Sequence, residues 1–158
     1  MQIVAVPAAP ATNTRLELLV QGDGRVTSQP AGIDCGATCA ADFKPGASVT
    51  VTVVPAPDSY LYSWSVLGCQ PYESSCTLTM DADRTLVVTV EKKPVITIRR
   101  TGTGAGVVNS SPRGIACGSE CAAPFHPEDL VQLVASAASG SYFVGWSGAC
   151  TGTLESCY

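Results

Sequence analysis

The chain has 158 residues, 14% of them charged and 46% hydrophobic, with a formal net charge of −4 at pH 7. So little charge beside so many β-branched residues excludes disorder for most of the length, and a weakly acidic balance without a basic cluster makes the chain a poor candidate for binding nucleic acid or anionic membrane. No apolar run is long enough for a membrane span, and a single histidine, His126, removes most zinc chemistry and most histidine-based acid–base catalysis.

Read in chain order, Met1-Gln2 and the short run Ile3-Val4-Ala5-Val6 lack the basic start and full apolar core of a signal peptide. The chain is therefore expected to be mature, trimmed or cut from something longer. Gln2, Ile3, Val4, Ala5 and Val6 read as a strand, and Pro7 to Thr14 as an extended, fairly stiff Pro/Ala linker. Leu16, Leu18 and Val20 then alternate with Arg15, Glu17 and Leu19, the period of a half-buried strand. Gly22-Asp23-Gly24 is a hairpin signal. Val49, Val51 and Val53 alternate with threonines, and Pro55, Pro57 and Asp58 break the chain before the next strand. There Tyr60, Tyr62 and Trp64 are expected on one face, with Leu61 and Ser63 opposite. Thr77 to Met80 and Thr85 to Val90 are further strands around the polar turn Asp81-Ala82-Asp83-Arg84. No helical period exceeds two turns, so the fold class is all-β.

The chain repeats itself. Gly24 to Gly36 returns as Gly106 to Gly118, an offset of 82 that also carries Phe43 onto Phe125, Tyr60 onto Tyr142 and Trp64 onto Trp146. One residue is lost after the tryptophan, so Cys69 and Cys76 meet Cys150 and Cys157 at an offset of 81. Leu16 and Leu18 match Ile96 and Ile98. The expected organisation is an N-terminal strand and linker at 1–14, a first β module at 15–93 and a second at 94–158, each of about six strands. The second copy stops one residue past its last cysteine, without a counterpart of Thr85 to Val90. Residues 2–6 lie ahead of copy one in the place where Leu86 to Val90 lies ahead of copy two.

Cys35, Cys39, Cys69, Cys76, Cys117, Cys121, Cys150 and Cys157 recur at matching gaps, which reads as a disulfide framework. Because the gaps are duplicated, each half is expected to close on itself, through Cys35–Cys39, Cys69–Cys76, Cys117–Cys121 and Cys150–Cys157. The rival reading, a four-cysteine zinc site in each half, suits the first gap but not the second. Stable disulfides imply an oxidising compartment. Modules this small bury thin cores, with Phe43, Trp64, Phe125 and Trp146 as their aromatic plugs and the disulfides as compensation.

The pattern Pro-x-Gly-Ile-x-Cys-Gly-x-x-Cys, then phenylalanine, an alternating valine strand, and Gly140-Ser141-Tyr142-Phe143-Val144-Gly145-Trp146-Ser147-Gly148-Ala149-Cys150 resembles the divergent B-repeat of internalin-type bacterial surface proteins, in a disulfide-bearing form. In copy one the last words have drifted to Asp58 through Cys69, and the stretch at 79–85 matches that family's last hairpin. The resemblance implies tandem, secreted, non-catalytic β modules used as stalks or spacers, and brings no catalytic residues and no cofactor.

Other candidate chemistry is thin. Gly102-Thr103-Gly104-Ala105-Gly106 lacks the third glycine and the helix of a dinucleotide fingerprint and reads as a hairpin turn. Around Ser147 a nucleophile elbow would need glycine where Ala149 stands. His126 reads as a surface residue on a turn, and Asp81 and Asp83 alone are a poor calcium set. Asn109-Ser110-Ser111 is an acceptor sequon, irrelevant in a bacterial source. Tyr62, Tyr72 and Tyr158 are candidates for stacking on a surface glycan. No acid–base constellation recurs, so an enzyme is not expected. The expected function is an extracellular or cell-surface structural protein, a head-to-tail homopolymer in which residues 3–6 of one subunit complete copy two of a neighbour. The alternatives are a spacer fragment of a longer secreted adhesin, a carbohydrate-binding module, or residues 1–6 folding back on their own copy two.

Overall fold

A computed structural model describes residues 12–35, 38–66, 68–118 and 121–158. The chain divides into two compact units, the first ending at Lys92 and the second running Lys93–Tyr158. Neither unit contains a helix among the described residues. The strand designated as residues 2–6 lies outside them.

Among the described residues the first unit has eight strands: β1 (Thr14–Gln21), β2 (Gly24–Gln29), β3 (Asp34–Cys35), β4 (Ala40–Phe43), β5 (Ala47–Pro55), β6 (Ser59–Trp64), β7 (Ser75–Met80) and β8 (Arg84–Lys92). They form two four-stranded sheets, in the orders β4-β1-β8-β6 and β3-β2-β5-β7. Alternation along each strand turns one apolar row inward. Leu16 and Leu18 of β1 and Leu86, Val88 and Val90 of β8 meet Val26 of β2, Val49, Val51 and Val53 of β5, and Leu78 and Met80 of β7 in a single buried core.

The hairpin expected at Gly22-Asp23-Gly24 is not one. β1 and β2 belong to different sheets, and the turn carries the chain across the sandwich. The same holds for the turn at 81–84, since β7 pairs with β5 while β8 pairs with β1 and β6. Glycine and aspartate mark a reversal but do not say which strand will be the partner. Gly22 is required there for two reasons. Its φ is 99°, and a Cβ would collide with the Val90 carbonyl oxygen.

The expected faces of β6 are also corrected. A register shift between Leu61 and Ser63 makes a bulge at Tyr62. It places both Leu61 and Trp64 in the core, and leaves Tyr62 44% exposed.

Among its described residues the second unit has five strands: β9 (Val95–Thr97), β10 (Gly106–Ser111), β11 (Ala122–Pro124), β12 (Gln132–Ala137) and β13 (Ser156–Cys157). They pair as β11-β9 and β10-β12-β13. The glycine-rich run before β10 is likewise a sheet-changing turn rather than a hairpin. Both units share a polar device at their second strand. Ser28 Oγ donates to the Pro30 carbonyl at 2.8 Å and accepts from the Ile33 amide at 3.0 Å; Ser110 does the same to Pro112 and Ile115 at 2.8 and 2.9 Å. Beside it a glycine lets a phenylalanine ring lie on the backbone. A Cβ on Gly114 would come within 2.8 Å of Phe125 Cζ.

The cysteines pair as disulfides, Cys35–Cys39, Cys69–Cys76, Cys117–Cys121 and Cys150–Cys157, with Cα separations of 4.8, 5.3, 4.7 and 6.2 Å. Each joins a buried sulfur (Cys35, Cys76, Cys117, Cys157) to a more exposed one, so each ties a loop to the core.

Replacing Gly22 by alanine is expected to destabilise the first unit by about 1–3 kcal/mol, because the Val90 carbonyl is backbone and cannot move cheaply; the denaturant midpoint measures it. Replacing Cys69 and Cys76 together by alanine removes an eight-residue closed loop and is expected to cost about 2–3 kcal/mol. A midpoint unchanged by the double replacement would show the loop to be held without the bond.

Candidate functional site

In the first unit β8 lies between β1 and β6. It runs parallel to β1 from Leu16↔Arg84 to Gln21↔Thr89, and antiparallel to β6. Its inward residues Leu86, Val88 and Val90 are at most 5% exposed. Both of its ends are tied electrostatically. Lys92 Nζ lies 2.9 Å from Asp23 and 3.0 Å from Asp58, on the two turns beside it. At the other end Arg84 pairs with Asp81 at 2.6 Å, and Asp83 accepts the Arg15 amide at 2.7 Å. Asp81 and Asp83 are thus spent on holding strands.

In the second unit β9 takes the place of β1. β11 pairs with it as β4 pairs with β1. Its other side has no strand partner among the described residues. Ile96 and Ile98, the counterparts of Leu16 and Leu18, are only partly buried, and Val95 is 61% exposed. The counterpart of β6 forms no strand: Tyr142 and Val144 are 83% and 74% exposed. An unpaired strand side flanked by exposed apolar residues is an association site.

The tryptophan loop survives intact. Trp64 Nε1 donates to the Glu73 carbonyl, and Trp146 Nε1 to the Leu154 carbonyl, each at 3.0 Å, across loops that differ by one residue. Phe43, Phe125 and Trp64 are buried, at 6%, 5% and 8% exposure. Trp146, expected as a core plug, is only partly buried. Among the described residues no strands corresponding to β6 and β8 lie over it.

The surface aromatics part ways. Tyr158 is exposed, and its hydroxyl accepts from Gln132 Nε2 at 2.9 Å. Tyr62 and Tyr72 meet Tyr60, whose hydroxyl donates to Glu91 Oε2 at 3.1 Å. Burial first, and then this hydrogen bond, raise the Tyr60 phenol above its ordinary value. Tyr60 and Glu91 come together through the β6–β8 register, which residue spacing does not announce. Ser147 is exposed. The His126 amide donates to Asp129 Oδ2 at 2.9 Å, within a turn. Among the described residues no three His, Cys, Asp or Glu side chains are grouped to hold a metal.

The family model described as the divergent InlB B-repeat domain matches residues 20–94 and again 97–158. The chain belongs to that family. Neither a curated protein nor a solved structure matches it. The two units are therefore tandem B-repeats of an all-β, disulfide-bearing kind. Membership in a bacterial surface repeat family suggests an extracellular structural or surface role, and such repeats are typically non-catalytic. The disulfides are consistent with an extracellular location. Among the described residues no helix is long and apolar enough to cross a membrane.

Three carboxyls of the first B-repeat are held below their ordinary values: Asp34 by its hydrogen bond from Arg25, Asp58 by Lys92 and Asp81 by Arg84. Each binds a proton less readily in the folded chain than in the unfolded one. Their contribution is fully present above the unfolded value, about 4, and is lost as pH falls through the folded values. The thermal midpoint of the first repeat is expected to hold steady near neutrality and to fall below about pH 4, by a small amount because the pairs are exposed.

Proposed function

We propose that this protein is a non-catalytic structural subunit of an extracellular fibre. The N-terminal strand of one copy enters the second B-repeat of a neighbour and lies beside β9. The observation that carries this reading is the unpaired side of β9, at the position where β8 lies against β1 in the first repeat.

The donated strand replaces β8, so it runs parallel to β9. Gln2 to Val6 take the places of Leu86 to Val90. Val4 and Val6 therefore stand for Val88 and Val90 and face the core, while Ile3 and Ala5 face outward. Main-chain hydrogen bonds supply the affinity and the alternating side chains the register. Because the donating and accepting surfaces differ, the contact is heterologous and propagates head to tail. The incoming strand also supplies the partner that residues 141–146 need in order to pair as β6 does.

Electron microscopy and size-exclusion chromatography of the intact chain are expected to show filaments. Deleting residues 1–8, or replacing Val4 and Val6 together by aspartate, is expected to leave monomers. Amide exchange at Val95–Thr97 slows on assembly and stays fast in the deleted chain. Filaments that form unchanged without residues 1–8 overturn donation. An intact chain that remains monomeric when concentrated favours the spacer reading, in which another repeat of a longer protein fills the same place.

A further inference from the structure

Tyr60 and Tyr62 on β6 and Tyr72 on the loop before β7 form a cluster. Ring centroids are 6.4 Å apart for Tyr60 and Tyr62, 6.3 Å for Tyr60 and Tyr72, and 6.3 Å for Tyr62 and Tyr72, in edge-on or tilted arrangements. At these separations the rings fill the space between them, so the usable surface is outward. Tyr62 is 44% and Tyr72 38% exposed, over a Tyr60 that is 8% exposed. Glu91, beside Tyr60, is exposed, and its carboxylate can accept more hydrogen bonds than the one it takes from that phenol.

Two observations separate this cluster from the needs of the fold. The first is the internal comparison. The residues that build the repeat recur in the second copy, as Phe125, Trp146 and Ser110 do, and Tyr60 recurs as Tyr142, but the two outer rings, Tyr62 and Tyr72, are replaced by Val144 and Thr153. The second observation is the Tyr72 backbone. Its φ is 65°, and among the described residues it is the one non-glycine residue with a positive φ. A bulky residue holds that conformation only where its surroundings impose it. Here Gly68 (φ 96°), the Cys69–Cys76 bond and the Trp64 hydrogen bond to the Glu73 carbonyl fix the loop on both sides. The loop spends backbone strain to set one ring beside two others.

The geometry points to a carbohydrate-binding platform on the first B-repeat, formed by Tyr62, Tyr72, Tyr60 and Glu91, for neutral pyranose glycans. A pyranose has an apolar C–H face and a rim of hydroxyl donors. The ring surfaces match the first, and the carboxylate and phenols match the second. The tyrosines pack on one another and each has only two side-chain torsions, so little side-chain entropy is lost on binding. A carboxylate at the edge of a chain of net charge −4 repels anionic polysaccharides. This inference is independent of strand donation and uses no residue of the second repeat.

The test uses the whole chain on an array of neutral oligosaccharides built from hexoses and N-acetylhexosamines, with hits titrated by calorimetry. Retention of at least one neutral glycan is expected. Tyr62→Ala and Tyr72→Ala should each weaken it by about tenfold or more. Tyr62→Phe, which keeps the ring, should stay within about threefold, and Leu130→Ala, an exposed apolar position elsewhere, should change nothing. Tyr72→Gly suits the positive φ and keeps the loop folded, so lost binding with an undiminished thermal midpoint separates ring contact from structural damage. No binding to any neutral glycan overturns the inference. So does binding that survives Tyr72→Gly, or preferential capture of a Pro-Ala-Ala-Pro peptide on the same tyrosines.

Discussion

The parallel ladder between β1 and β8 is the constraint on which the first B-repeat depends. It brings the opening and closing strands of the repeat together in the middle of a sheet, so that β4 and β6 can be added only outside them. The inward residues of both strands, Leu16, Leu18, Leu86, Val88 and Val90, are the sheet's contribution to the core. The ion pairs of Arg84 and Lys92 hold the two ends of the closing strand in place, each worth little alone because it is exposed. Beside β9, where the described residues include no closing strand, more differs than the width of the sheet. The counterpart of β6 forms no strand there, and Trp146 is only partly buried.

Much of this was legible from residues. Alternating valines and leucines marked the strands, because a sandwich buries one face of each sheet. Duplicated cysteine gaps marked two modules and the short loops that the bonds close. What the residues did not tell was pairing. Gly22-Asp23 and Asp81 to Arg84 carry the chemistry of tight turns, and they do reverse the chain, but they reverse it into the opposite sheet. A turn residue constrains two or three dihedral angles, whereas the partner of the next strand is decided by where the whole apolar row finds its core. Tyr62 shows a related limit. One extra residue in β6 exchanged the faces of Leu61 and its neighbours, and nothing in Tyr-Leu-Tyr-Ser-Trp marks the bulge. Of the tyrosine cluster, Tyr62 and Tyr72 were recognisable as surface aromatics. Tyr60 and Glu91 became neighbours only through register.

The two repeats also separate what is indispensable from what is local. The serine that bridges Pro30 to Ile33, the glycine under the phenylalanine ring and the indole bonded to a loop carbonyl occur twice, with nearly the same distances. The tryptophan contact persists although its loop is one residue shorter in the second repeat, so the carbonyl is positioned by the disulfide-closed segment rather than by loop length. The serine and indole bonds pair loop polar groups in a module whose apolar core is small, and of them the Ile33–Ser28 bond is buried.

The direction of the β1–β8 ladder has a mechanical meaning. The two strands are parallel, so a tension applied at Thr14 and at Lys92 pulls on opposite ends of the same row of hydrogen bonds. The row is loaded in shear, and its six registered pairs from Leu16↔Arg84 to Gln21↔Thr89 bear the load together instead of parting one after another. An antiparallel hairpin pulled at its open end would unzip. A repeat built in this way stands rigid under traction along the chain, while a force across the strands would open it easily.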